Sequence, residues 1–286
     1  MKLDYLNKES VRQFIDRALE EDIGEGDHSS LSSIPDGLQQ KAHALVKSDG
    51  IIAGIQLAEW IFKRFDKDLD LQLHKKDGES VDEGDIAFEV RGKAQSILTA
   101  ERLVLNCMQR MSGMATYTNK MSELIRHTNT RLLDTRKTTP NFRLCEKWAI
   151  KIGGGDNHRF GLFDMILLKD NHVDYAGGVR EAVLGTQKYL KKTGKNLKIE
   201  VETRNLDEVK DALEVGGVDI IMLDNMLPSA MKEAVQLVNG TCKTEASGGI
   251  TEKNIKEIAE TGVDYISVGA LTHSYQSMDI SLKAIN

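Results

Sequence analysis

Proline, cysteine, positive charge and long apolar runs are all scarce in this chain, and each scarcity excludes something. Only three prolines occur in 286 residues, and no stretch reads as a disordered linker or a low-complexity segment. The three cysteines, Cys107, Cys145 and Cys242, are odd in number and scattered. They make no disulfide framework, and no CxxC pair suggests zinc. They read as small buried hydrophobes in a reducing compartment. Lys and Arg total 38 against 44 Asp and Glu, a formal net charge of −6. That balance argues against a general nucleic-acid surface or an anionic membrane partner. No run of about 18 apolar residues is present, and the opening MKLDYLNKES has no apolar signal core. The expectation is a cytoplasmic protein. The length, with 40% hydrophobic and 29% charged residues, fits one large α/β domain, or a barrel plus a smaller partner domain.

What is present has a rhythm. LKIEVET (197–203), VDIIMLD (218–224), TCKTEAS (241–247) and VDYISVG (263–269) each read as a short buried strand. They recur about every 22 residues, with helical patterns between them. RLLDT (131–135) and FDMILLK (163–169) extend the series. Alternating strand and helix predicts a parallel sheet with right-handed crossovers. Six or seven such units suggest a closed or nearly closed βα barrel, with a doubly wound open sheet as the rival. The N-terminal part differs. A helix is expected over 8–21, strand-like runs and one helix (55–65) over 41–92, with hairpin turns in KKDGESVDEGDIAFEVRG, and a long helix over 99–125. The methionines at 108, 111, 114 and 121 of that helix read as core filler. The boundary is placed near residue 112. This gives an N-terminal domain 1–112 and a barrel 113–274, with the tail 275–286 packing back on the first.

Polar residues gather at the C-terminal ends of the barrel strands, where βα barrels build their sites. They are Thr135-Arg136-Lys137, Lys169-Asp170-Asn171, Glu202-Thr203, Asp224-Asn225, Ser247-Gly248-Gly249 and Gly269-Ala270. From Arg131 to His172 there are eight Lys/Arg and five Asp/Glu, a local positive excess on a negative protein. A charge run is usually a solvated face, and part of this one reads so. In NFRLCEKWAIKI, Arg143, Lys147 and Lys151 share a helical stripe opposite Phe142, Cys145, Trp148, Ala149 and Ile152. Lys191, Lys192 and Lys195 fall near a helix C-terminus, where cations offset the macrodipole. Arg136, Lys137, His158, Arg159 and Lys169 remain. They require a ligand with several negative charges, because burying such cations unpartnered is costly. Arg grips a carboxylate bidentately and Lys acts as a point charge. Glu202 and Asp224 form an acidic pair suited to Mg²⁺ shared with phosphates. ASGGI (246–250) and VGALTHS (268–274) are turns suited to phosphate through backbone N–H groups and helix N-termini. His158 and His172 have no third His or Cys at ligand spacing, so a metal reading is set aside. His273 fits a phosphate or hydroxyl contact better than a catalytic base. From the residues alone the reading is a βα barrel using Mg²⁺ on a phosphorylated substrate plus a polycarboxylate.

In order, DTRKTTP, GGGDNHR, LLKDNH, IEVET, LDNM, EASGGI and SVGALTHS resemble the signature of the quinolinate phosphoribosyltransferase family. EEDIGEGDHSS (20–30) and ERLVLNCMQRMSGMAT (101–116) are similar to its N-terminal patterns. Two positions depart: Asn141 stands where the family usually has glycine, and Ser29 where it usually has threonine. The resemblance implies an α/β fold, with an N-terminal α/β sandwich-like domain and an incomplete seven-stranded α/β barrel, the type II phosphoribosyltransferase architecture. It implies that quinolinate and phosphoribosyl pyrophosphate give nicotinate mononucleotide, pyrophosphate and CO₂ with Mg²⁺, in de novo NAD biosynthesis. It also implies site roles. Arg136, His158, Arg159 and Lys169 would take the quinolinate dianion, joined by Arg102 from the neighbouring subunit of a homodimer, with a hexamer as the larger option. Lys137 would face the phosphates of the second substrate. Glu202 and Asp224 would hold the ribose hydroxyls, directly or through Mg²⁺. Thr135, Ser247, Gly248, Gly249, Gly269, Ala270 and His273 would complete the substrate contacts. The type I phosphoribosyltransferase motif is absent. The rivals are a transferase of the same fold with another acceptor, such as nicotinate, and a lipoyl- or biotinyl-type carrier built on 76–94, whose modifiable lysine would be Lys93.

Overall fold

The computed structural model describes residues 4–285. Residues 1–3, part of the segment read as lacking a signal core, and residue 286, the end of the tail, lie outside the described residues. The chain divides into two compact units: 1–119 with 138–154 and 271–286, and 120–137 with 155–270.

The first unit opens with α1 (Lys8–Ile23) and α2 (His28–Ser33). Asn7 and Asp27 cap them by accepting the N–H groups of Ser10 and Ser30. Then come β1 (Gln39–Val46), β2 (Gly50–Ile51), α3 (Ile55–Phe65), β3 (Asp70–Leu73), β4 (Ser80–Val81) and β5 (Ile86–Lys93). α4 (Ala94–Ile125) follows β5 without a loop, five residues earlier than its pattern predicted, and carries the chain out of this unit. β12 (Ile280–Ile285), near the C-terminus, pairs antiparallel with β1 and completes the four-stranded sheet β12-β1-β5-β3. Alternation in β1 turns Ala42, Ala44 and Val46 inward, beside Phe88 and Val90 of β5. Phe88 meets Phe62 of α3 edge-on at 6.0 Å. The four methionines of α4 are fully buried, as core filler should be.

α5 (Arg143–Ile152) also belongs to this unit, with Trp148 stacked on Trp60 at 5.6 Å. Here one expectation fails. Lys147, assigned to a solvated stripe, has no exposed surface, and Glu146 beside it is equally buried. All positions from Leu144 to Ile150 are buried, so α5 has no free face over that stretch. A helix covered all round gives no information through its charge stripe.

The second unit contains the predicted alternation. Its strands are β6 (Arg131–Leu133), β7 (Ile166–Leu168), β8 (Ile199–Thr203), β9 (Ile220–Asp224), β10 (Lys243–Ser247) and β11 (Tyr265–Ser267). Between them run α6 (Asp170–Ala176), α7 (Val179–Thr193), α8 (Leu206–Val215), α9 (Pro228–Val238) and α10 (Ile255–Ala259), and α11 (Ala270–His273) follows β11. All strand pairs are parallel, in the order β6-β11-β10-β9-β8-β7. A single bridge adds Asp156 beside Leu133, outside β6. Six strands plus this bridge make an incomplete barrel, open between 156 and β7 among the described residues. Every residue of β8 is buried, as in a sheet covered on both faces. β8, β9 and β10 end where predicted and begin two residues later, whereas β6, β7 and β11 stop short because their last predicted residues already belong to the turns. No helix among the described residues is long and apolar enough to cross a membrane.

Candidate active site

Parallel strands in one sheet bring their C-terminal ends to one edge, and the predicted residues of the second unit gather there. Thr135–Lys137 follow β6, and His158–Arg159 follow the bridge at Asp156. Lys169 is the residue before α6, and Glu202, Asp224 and Ser247 lie at or next to the ends of β8, β9 and β10. Ser247 pairs directly with Asp224, and Gly269 and Ala270 follow β11. Arg102 and His273 belong to the first unit. Arg102 is exposed on α4, and exposed His273 has Nδ1 2.7 Å from Ser274 Oγ.

The cations of the second unit do not all meet carboxylates. Arg159 donates from Nη1 to the Met165 carbonyl at 3.1 Å. Burial, and then the charge of Arg136, lower its pKa. Two guanidiniums that raise each other's potential, one of them partly desolvated, make a place where an anion is favoured. Lys169 Nζ stands 3.7 Å from Glu202 Oε2. Glu202 titrates above the usual carboxylate range because of burial, and then because of the negative charge of Asp224. Two carboxylates that repel each other at adjacent strand ends are suited to a divalent cation bound through oxygen.

The SGG turn has a steric reason. Gly248 has φ +95°, and a Cβ there would come 2.1 Å from Asn225 Oδ1. Asn225, itself at φ 52°, donates its N–H to the Ser247 carbonyl at 2.9 Å and its amide to Asp224 Oδ2 at 2.7 Å. Gly248 therefore gives way to the side chain that orients Asp224. Gly248→Ala adds about 1–2 kcal/mol of left-handed backbone cost to a clash. The expected result is a melting temperature lower by several degrees, read by thermal unfolding. The helices after the two glycine turns have only five and four residues. They offer little macrodipole, so the helix-terminus part of the phosphate expectation is weakened and the N–H groups of the turns remain.

Sequence reasoning missed three buried acids. Glu200 shares the inward face of β8 with Glu202, and Glu245 shares the inward face of β10 with Ser247. Burial pushes each from the usual 4.5 to about 8. His158 Nε2 lies 2.8 Å from Glu200 Oε2 and 3.7 Å from Glu245 Oε2. Metal-binding atoms of the three residues all fall within 4.8 Å of one another. The third is Asp134, fully buried, which accepts from the Asn157 amide at 2.6 Å and the His158 N–H at 2.9 Å. The available signal was the i, i+2 spacing of Glu200 to Glu202 and of Glu245 to Ser247. His172 is no ligand in this arrangement: its Nδ1 accepts the Lys169 N–H at 3.0 Å.

A parallel barrel with a cationic patch, an acidic pair and a glycine turn at one end defines a class of anion-handling α/β enzymes. Residues 27–112 match the quinolinate phosphoribosyl transferase N-terminal domain, and residues 114–283 its C-terminal domain. The chain belongs to the quinolinate phosphoribosyltransferase family. It is 48% identical to the quinolinate phosphoribosyltransferase [decarboxylating] 1b of Nicotiana tabacum, over 96% of this chain and 82% of that protein. It is 40% identical to the probable nicotinate-nucleotide pyrophosphorylase [carboxylating] of Bacillus subtilis, over 97% and 94%. The solved nicotinate-nucleotide pyrophosphorylase of Francisella tularensis superposes with a TM-score of 0.90 at 39% identity, covering 98% of each chain.

Proposed function

We propose that the protein transfers the phosphoribosyl group of phosphoribosyl pyrophosphate to quinolinate with loss of CO₂, giving nicotinate mononucleotide and pyrophosphate. The observation that carries this reading to the residues is the Arg136–Arg159 pair at the barrel end, within a chain 40–48% identical to proteins named for the reaction. Quinolinate is a dianion, and Arg136, Arg159 and Lys169 match its charge. Lys137, exposed after β6, takes the phosphates of the second substrate. Glu202 and Asp224 hold the ribose hydroxyls, and their paired oxygens suit Mg²⁺, which when bound offsets pyrophosphate charge. The SGG turn presents N–H groups to the 5′-phosphate.

The chemistry needs positioning and charge more than proton transfer. The C1–pyrophosphate bond breaks as positive charge builds on the ribose, near Glu202 and Asp224. The pyridine nitrogen attacks with its own lone pair, so no general base is required. As the adjacent carboxylate leaves as CO₂, its bonding electron pair stays on the ring carbon beside the positive nitrogen, whose charge stabilises it together with Arg159 and Lys169 until a proton from water forms the C–H bond.

A homodimer that contributes Arg102 across its interface is part of the proposal, supported by the exposure of Arg102 on α4. So is a cytoplasmic setting, supported by three free cysteines. A carrier role has less support. Lys93 ends β5 and Ala94 begins α4, so this lysine is at no hairpin tip. The test is turnover: protein, phosphoribosyl pyrophosphate and Mg²⁺ with quinolinate or with nicotinate, following CO₂ and nicotinate mononucleotide. Turnover with quinolinate and not with nicotinate is expected, and loss of rate on chelation. Turnover with nicotinate alone would make the monocarboxylate the acceptor.

A further inference from the structure

Two glutamates lie beneath the cationic end of the barrel and take no part in the chemistry above. Glu200 and Glu245 are fully buried, from β8 and β10. Buried acids need partners, and a polar group close to both is the His158 ring, in ion-pair contact rather than an aligned hydrogen bond. Its other nitrogen, Nδ1, accepts the backbone N–H of Arg159 at 2.8 Å. An imidazole that accepts at Nδ1 carries its proton at Nε2, where Glu200 stands 2.8 Å away. The ring is thus a bridge, an acceptor toward the loop and in close polar contact with the acids of the barrel interior. The backbone beside it is held by Asp134, through the His158 N–H and the Asn157 amide. The far end of Arg159 is held by the Met165 carbonyl.

We infer that Glu200 and Glu245 are positioning residues for the quinolinate subsite, acting through His158 to fix the backbone, and so the guanidinium, of Arg159. The inference rests on the reading that Arg159 grips quinolinate. Glu200 packs its carboxyl against the ring at 2.8 Å, and Glu245, 3.7 Å from the same nitrogen, backs it. The proton arrangement disfavours a metal at this trio. A histidine that binds a metal through one nitrogen donates an N–H from the other, whereas His158 Nδ1 accepts. A displacement of about 1 Å at a substrate-gripping group costs on the order of a hundredfold in rate, so a small shift of the bridge is measurable.

The experiment uses the full chain with Glu200→Ala, Glu200→Gln, Glu245→Gln, His158→Ala and the double Glu200→Ala/His158→Ala. Each is followed by initial rates and by thermal unfolding. Glu200→Ala is expected to raise the quinolinate KM tenfold or more, with the phosphoribosyl pyrophosphate KM changed less than threefold. Glu200→Gln keeps an acceptor for the His158 N–H and should recover most of the loss. Glu245→Gln should give a smaller rise of the same kind. Because Glu200 acts through the ring, the double variant should be no worse than His158→Ala. A general loss of structure would raise both KM values together, and that result would overturn the inference. So would multiplied effects in the double variant, an unchanged quinolinate KM, or a stoichiometric transition metal in the purified protein. Should Glu200→Ala not fold, Glu200→Leu fills the same volume without an acceptor and carries the same comparison. Wild-type protein is assayed first. No turnover of quinolinate there removes the functional reading itself, whereas normal wild-type turnover with unaltered variants removes only the positioning role.

Discussion

Arg159→Ala is expected to lower kcat/KM for quinolinate about a hundredfold, with the KM for phosphoribosyl pyrophosphate nearly unchanged. The guanidinium is partly desolvated, lies in the field of Arg136, and is anchored by one nitrogen to the Met165 carbonyl. Its remaining donors are left for a substrate carboxylate. Removing one partner of a desolvated, hydrogen-bonded charge pair costs about 2–5 kcal/mol, and about 1.4 kcal/mol is a factor of ten. Arg159→Lys should recover the charge but not the fork, so only part of the activity returns. Lys137→Ala supplies the contrast: its effect should fall on the KM for phosphoribosyl pyrophosphate. Steady-state kinetics with each substrate varied in turn reads both. A quinolinate kcat/KM within threefold of wild type for Arg159→Ala would remove this arginine from the acceptor site.

The barrel was legible because its strands carry a signal that survives without context. IEVET and IIMLD are short apolar runs between helical patterns, and a parallel strand buried on both faces reads that way. The polar residues at their ends were legible for the same reason, since they break the run where the turn begins. Charge inside the run was harder to interpret. Glu200 sits one pleat below Glu202 on the same face, yet the sequence alone offers no partner for it. That partner, His158, comes from a turn some forty residues earlier and meets it only through the sheet order. Lys147 failed in the opposite direction. Its helical stripe looked solvated, but amphipathicity reports one buried face and α5 is buried on all sides from Leu144 to Ile150. Gly248 lies between these cases. The glycine pair marked a turn, but only the structure identifies Asn225 as the side chain that requires it.

The buried pair also sets a dependence of stability on pH. Burial, then the charge of Glu200, holds the Glu245 carboxyl near 8 in the folded protein, against 4.5 for an ordinary glutamate. His158 and Ser267 pull the other way and do not offset it. Between these values the folded state keeps a proton that the unfolded chain has released. Stability therefore falls as pH rises through that window, by roughly 1 kcal/mol per pH unit for each such proton. Below about pH 4.5 both states hold the proton and this contribution is complete. Above about pH 8 the folded state ionises a carboxyl that His158 and Ser267 only partly compensate, and the contribution is gone. Glu245→Gln has the shape of the protonated acid and cannot ionise. Relative to wild type it should gain stability steadily from pH 5 to pH 8, by up to about 3–4 kcal/mol, because an amide loses nothing over that range. In a chain of this size that difference moves the melting temperature by about 5–10 °C. Thermal unfolding of both proteins at half-unit pH steps measures it. Curves that stay parallel from pH 5 to pH 8 would mean that Glu245 is ionised in the folded barrel throughout, with its charge balanced at His158.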